Sequence, residues 1–185
     1  MPTGNIASLP PPSTNNTWEV QAAAPLITST AGEYTFHVDV LNDPSDCCWM
    51  IGVIKPDTVL KYVKEWHDPH YKGMLVYRGD YGNVLNDGVR TKKLPKWGNG
   101  TGKTLIAKLI IAPSGKREKK ATLVVIGRNG EEMNLGSIAC NGGLKFAMLT
   151  YRVDSRFKLS MCGFDLATED LVRAGVQENI KCRQY

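Results

Sequence analysis

The chain has 185 residues, 42% of them hydrophobic and 22% charged, ordinary proportions for one soluble globular domain and enough to bury a core. No run approaches the ~18 apolar residues of a membrane-spanning helix, and the opening MPTGNIASLPPPSTNN lacks the basic start and apolar block of a secretory signal. The formal charge of +5 is unevenly spread: residues 90–120 hold ten Lys or Arg against one Glu, which raises an acidic partner, nucleic acid included, as an alternative to solvated loops.

Residues 1–17 hold four of the ten prolines among Ser, Thr and Asn and read as a flexible leader. Over 33–40 the chain alternates, with Phe36, Val38 and Val40 on one face and His37 and Asp39 on the other, which predicts a half-buried strand ended by Asn42-Asp43-Pro44-Ser45. The run CWMIGVI over 48–54 is continuously apolar, as in a strand covered on both faces, and Gly52 within it signals a close neighbour. Residues 55–72 are mixed and aromatic. Pro69 interrupts any helix there, so they read as a long excursion of the kind that often carries function.

The stretch MLVYRGDYGNVLN over 74–86 begins as a strand, breaks at Arg78-Gly79-Asp80 and resumes after Gly82. A basic loop over 90–103 leads to LIAKLIIA at 105–112, read as a further buried strand, and the GKREKK loop joins this to a hairpin. That hairpin has strands at 123–126 and 133–138 about Asn129-Gly130, the residue pair that enters φ > 0 in a two-residue turn. Leu144, Phe146 and Met148 alternate in the next strand, and Phe157, Leu159 and Met161 in the last. Strands at roughly ten-residue intervals predict an all-β antiparallel sandwich over 18–163, with Phe36, Val38, Val40, Ile51, Val124, Ile126 and Phe146 buried. Beyond it, 164–185 forms an extension in which Thr168 caps a helix over 168–181 carrying Leu171, Val172, Val176 and Ile180 on one face.

The five cysteines include an adjacent pair, Cys47 and Cys48, and no Cys-x-x-Cys spacing. A disulfide framework or structural zinc site is therefore not expected. Reduced thiols place the chain in the cytoplasm or nucleus as an expectation.

In order, CWMIGVI, MLVYRGDYGNVLNDGV, KTLIAKLIIA, ATLVVIGRNGEEMNLGSI and LKFAMLTYRVDSRFKLS resemble the strand series of the SPRY domains over residues 32–162. The resemblance implies a lectin-like (concanavalin-like jelly-roll) sandwich, without a catalytic centre, that binds a protein or peptide through loops at one edge.

Chemistry read from the residues agrees with a non-catalytic role. The run 98–104, GNGTGKT, has Trp97 where a phosphate-binding loop needs its first glycine. His67 and His70 flank Asp68 but lack the further ligands of a metal site, and three histidines offer no nucleophile–base pair by spacing. No cofactor and no metal are expected. Arg78-Gly79-Asp80 is not read as an integrin ligand in a chain expected to be intracellular. Aromatics and arginine dominate interface hot spots, so Trp66, Tyr71, Tyr77, Arg78, Asp80, Tyr81 and Trp97 are the candidate partner-binding set. The loops 64–72, 77–82 and that around Trp97 are expected to meet at one end, with Trp66→Ala and Arg78→Ala weakening binding and sparing the fold. Lys92, Lys93, Lys116, Arg117, Lys119 and Lys120 are the candidate contacts if the partner is nucleic acid. A carbohydrate-binding sandwich, with aromatic platforms for sugar rings, is the remaining alternative.

Overall fold

The computed structural model describes residues 19–23, 31–42, 49–58, 72–98, 101–112, 119–150 and 156–162. The expected leader before residue 18 and the expected helix over 168–181 lie outside them. Eleven strands are described: β1 (Glu19–Ala23), β2 (Gly32–Asn42), β3 (Trp49–Ile54), β4 (Met74–Arg78), β5 (Asn83–Asn86), β6 (Val89–Lys93), β7 (Thr104–Ile111), β8 (Lys120–Ile126), β9 (Glu132–Ala139), β10 (Lys145–Thr150) and β11 (Arg156–Cys162). They form two antiparallel sheets, ordered β1-β10-β3-β4-β5-β6 and β11-β2-β7-β8-β9. The all-β sandwich expected from the strand spacing is the observed architecture.

The alternation in β2 places Tyr34, Phe36, Val38 and Val40 between the sheets, where they are buried. Phe36 stacks on Phe146 of β10 across the layer, centroids 4.0 Å apart. Each such side chain, fully buried, contributes ~1.5–3 kcal/mol, so this shared layer dominates stability. The continuous apolar run of β3 serves two layers. Trp49, Ile51 and Val53 join the central core, while Met50 and Ile54 join a second buried cluster with Met74, Val76, Leu85, Ala147 and Leu149. Strands β10, β3, β4 and β5 of the six-stranded sheet are thus buried on both faces. Gly52 is there because a Cβ would strike the Leu75 carbonyl oxygen and lie 2.7 Å from the Val76 Cα.

Three strand readings are corrected. In β8 Ala121, Leu123 and Val125 face the central layer; Val124 is buried as expected but lies outside that layer, and Ile126 is only half-buried. In β7 one face alone is in the core, and Ile110 on the other is exposed. The basic loop expected from residue 90 begins instead as strand β6.

The hairpin expected about Asn129-Gly130 is present as β8–β9, but its loop is longer than two residues, and the two-residue turn lies elsewhere. Asp87 (φ 52°) and Gly88 (φ 84°) form the two-residue hairpin turn between β5 and β6. Gly73 N–H donates to the Asp87 carboxylate at 2.6 Å, which holds that turn against the stem of the 55–73 connection. At the other hairpin only Gly130 has positive φ. Gly130 N–H donates to the Gly127 carbonyl and Gly127 N–H to the Glu131 carbonyl, giving a three-residue loop closed by a left-handed glycine.

Candidate functional site

The end of the sandwich where β4 finishes is built around the turn over 79–82. Arg78, the last residue of β4, is 2% exposed. A buried guanidinium needs a carboxylate, and Asp80 supplies one in bidentate form, with Nε to Oδ1 at 2.7 Å and the second nitrogen to Oδ2 at 2.9 Å. The same carboxylate accepts the Tyr81 N–H at 3.0 Å. Gly82 N–H donates to the Arg78 carbonyl at 2.8 Å and closes the turn. The Arg78-Gly79-Asp80 tripeptide therefore folds on itself.

Residues 94–98 run alongside. Leu94 N–H donates to the Gly82 carbonyl at 2.7 Å, and the Trp97 N–H to the Gly79 carbonyl at 3.0 Å. Tyr77 is fully buried, and its hydroxyl donates to the Pro95 carbonyl at 2.6 Å. Burial, aided by the Asp80 and Glu131 charges, pushes its pKa up to about 12 against the lowering influence of the Trp97 backbone. Trp49 meets Tyr77 and Trp97 edge-on, at 6.2 and 5.8 Å between centroids. Its indole N–H is buried without a hydrogen-bond partner, a desolvation cost of about 1–3 kcal/mol.

Gly79 closes this cluster from above. Its N–H donates to the Trp49 carbonyl at 3.2 Å, and no space for a side chain remains over the indole. The indole N–H of Trp97 reaches the Ile126 carbonyl at 3.4 Å, and the Arg128 guanidinium lies 5.2 Å from its ring. The β8–β9 loop thus belongs to the same end.

On this base Tyr81 is 48% exposed. The Arg78 guanidinium lies 4.4 Å from its ring centre and the Lys96 ammonium 5.6 Å. Cation–π contacts of this kind contribute ~0.5–1 kcal/mol each at a surface, which restrains the ring while leaving much of it open.

The structure divides the candidate residues. Tyr77, Arg78, Asp80, Tyr81 and Trp97 come together. Of these Tyr77, Arg78 and Trp97 are buried, so they form the base of the site and not its contact surface. Arg78 is engaged by Asp80 and is not held out for an acidic group of a partner. Trp66 and Tyr71 lie outside the described residues, but the stems of their connection emerge at the opposite end, where Lys55 N–H donates to the Gly73 carbonyl at 2.7 Å. Consecutive connections between antiparallel strands alternate ends, so the stems at Lys55 and Gly73 and the turn over 79–82 lie at opposite ends of β4, while 64–71 themselves lie outside the described residues. The same parity brings 127–131 beside 79–82 and would have placed Arg128 there; Lys96 is marked only by its closeness to Trp97.

The basic residues are split between sheets. Lys92 and Lys93 lie on β6, with the Lys92 ammonium donating to the Asn134 carbonyl at 2.9 Å. Lys119 and Lys120 lie at the start of β8, near the opposite end. Lys116 and Arg117 lie outside the described residues, as do His67 and His70. Among the described residues no group of His, Cys, Asp and Glu could hold a metal ion, and no helix is long and apolar enough to cross a membrane. In the glycine-rich stretch, Gly102 N–H is used by the Val40 carbonyl at 2.8 Å, stitching the chain to β2.

No protein-family profile matches the chain, and no curated protein shows significant sequence similarity to it. Solved structures do match. A human SPRY domain superposes with a TM-score of 0.51 at 16% identity, covering 80% of this chain and 86% of that one. The SPRY domain of human HERC1 matches with a TM-score of 0.48 at 12% identity, over 80% of this chain and 83% of that one. With two antiparallel sheets in this order and a match spanning four-fifths of its length, the chain has the fold of the SPRY domains.

Proposed function

We propose that this chain is a non-catalytic recognition module that binds a protein or peptide partner at the end formed by residues 79–82, 94–98 and 127–131. The observation that carries the reading is Tyr81, half exposed between Arg78 and Lys96 on a base that is already fixed. A rigid aromatic with a polar tip buries area on binding at low entropic cost, and the bidentate Arg78–Asp80 pair fixes the turn before any partner arrives. The SPRY fold supports the same role, as modules of this shape commonly bind proteins through loops at one end. The free thiol of Cys140 fits a reducing compartment, cytoplasmic or nuclear.

The test compares wild-type chain with Tyr81→Ala and Lys96→Glu in affinity capture from extract of the source cells, followed by direct titration of the enriched partner. Tyr81→Ala is expected to weaken binding about thirtyfold, the loss that a 2 kcal/mol hot spot implies, with melting unchanged. Equal affinity for all three proteins would remove the site from this end. A binding constant that instead falls steeply with salt and is carried by Lys119 and Lys120 would identify a polyanion partner.

A further inference from the structure

Strand β6 is the last of the six-stranded sheet, and its side away from β5 faces no other described strand. All five of its residues are exposed, Val89 by 62%. Directly opposed residues of an antiparallel pair share a face. Val89 and Lys92, opposite Asn86 and Val84, therefore lie on the face toward the smaller sheet, and Arg90 and Lys93, opposite Leu85 and Asn83, on the other. Inward-facing residues that stay exposed mean that β6 overhangs the smaller sheet. Its contribution to the core is nil, which leaves its presence unexplained by packing.

The neighbouring edge is treated differently. Strand β9 ends the smaller sheet, and side chains from above occupy its carbonyls: Lys92 Nζ donates to Asn134 O at 2.9 Å and Asn86 Nδ2 to Ser137 O at 3.0 Å. Of two adjacent edges, one is capped and the other is left open by the described residues.

Charge selects what the open edge would take. Strand β6 carries Arg90, Lys92 and Lys93, and no Asp or Glu occurs from residue 88 to 112. Two copies of this edge would bring like charges together, which is how proteins prevent self-pairing. A polynucleotide would meet the charge but leave the row of backbone N–H and C=O groups unused. An extended acidic peptide meets both. We propose that β6 is a docking edge for an extended acidic peptide, which adds to the six-stranded sheet as a seventh strand with its carboxylates on one face, toward Lys93. This surface is separate from the end carrying Tyr81. The extra residue Thr91, where the register with β5 slips, interrupts the ladder and limits it to a short, reversible pairing.

The test uses the whole chain and an acetylated, amidated nonapeptide of alternating Glu and Thr. Controls are the same peptide with a central proline, its Lys-for-Glu counterpart and a nine-nucleotide oligouridylate. At saturating acidic peptide, amide exchange within 89–93 is expected to slow by about tenfold or more, as new backbone bonds form. The proline peptide should bind far more weakly and protect nothing. Lys93→Glu should weaken the acidic peptide by about tenfold, whereas Tyr81→Ala should leave its affinity unchanged. The proposal is overturned if millimolar acidic peptide gives no protection, or if the proline peptide binds equally, since attraction would then be charge alone. It is also overturned if Tyr81→Ala abolishes binding, which would place the peptide at the other site, or if only the oligouridylate binds.

Discussion

Replacing Gly79 with alanine tests whether the aromatic base is as closely built as its geometry implies. A Cβ at this position would lie 2.5 Å from Cε2 of the Trp49 indole and closer still to Cζ2 and Cη2. The indole has little room to retreat, since Tyr77 and Trp97 flank it edge-on. Nor can the backbone of residue 79 move freely: its N–H is bonded to Trp49, and its carbonyl accepts from Trp97 and Gly98. Overpacking costs about 1–3 kcal/mol, and a site fixed on all sides belongs at the upper end. Gly79 is not among the glycines with positive φ, so alanine adds no backbone strain and recovers ~0.4–1 kcal/mol by restricting the unfolded chain. The net loss is about 2 kcal/mol, a fall of ~4–8 °C in Tm for a chain of this size. Thermal unfolding followed by near-ultraviolet circular dichroism reads it. In a Trp49→Phe background, which removes part of the indole, the cost of Gly79→Ala should shrink. An unchanged Tm, or the same cost in both backgrounds, would refute the packing argument.

Arg78→Ala should destabilise the chain by about 3 kcal/mol, because it leaves the Asp80 carboxylate, 8% exposed, without its cation; a denaturation midpoint no lower than that of Lys96→Ala would contradict this. The variant is therefore not a clean probe of binding, contrary to the expectation from sequence. Tyr77 has its folded pKa pushed from 10.0 to about 12. The folded state thus favours the neutral phenol, and the associated stability is whole below pH 10 and lost as pH rises toward 12. Two pKa units amount to about 3 kcal/mol, so urea titrations between these pH values should fall more steeply for wild type than for Tyr77→Phe, and parallel curves would count against it. At the β5–β6 turn, Asp87→Asn should be nearly neutral, since asparagine tolerates φ 52° and can still accept from Gly73 N–H. Asp87→Ala should cost about 2 kcal/mol through strain and the lost bond; equal Tm values for the two variants would sink the turn assignment.

What the sequence made legible follows from which elements are held by a periodic apolar face. Strand β2 alternates without interruption because one face meets the core and the other meets solvent, and β3 reads as continuously apolar because both its faces are covered. Strand β6 has no covered face, so VRTKK offers no period to read, and the Asp-Gly pair before it was the only sign of a hairpin. The phase of β8 is not legible because Leu123, Val124, Val125 and Ile126 are all apolar, so the run shows no alternation to read. At the site, the aromatics were visible as residue types, but their burial was not. Tyr77 continues the inward series of β4, and Arg78 is buried because the chain turns its own carboxylate back onto it two residues later. Which loops share an end follows from counting antiparallel strands, a rule that needs every strand between them identified first. The loops before and after β4 needed only that one strand, since a single strand separates its two connections to opposite ends.

The order in which strands sit in the sheets has a consequence for how the chain comes together as it is made. Strand β2 is flanked by β7 and β11, and β1 by β10. Neither early strand finds a neighbour until β7, which begins at Thr104, has been synthesised. Until then Phe36, Val38 and Val40 have no facing layer, and their strand presents two bare edges. The locally connected runs β4-β5-β6 and β7-β8-β9 carry no such delay, since each strand follows its neighbour through a short or moderate connection. Closing chain-length loops costs entropy before any contact repays it, which places such sandwiches among the slower folders, in the millisecond-to-second range of roughly 10⁻³–1 s. A nascent chain halted before β7 would therefore hold β1 and β2 without their strand partners, and its exposure to aggregation would be set by the rate of elongation rather than by the stability of the finished fold.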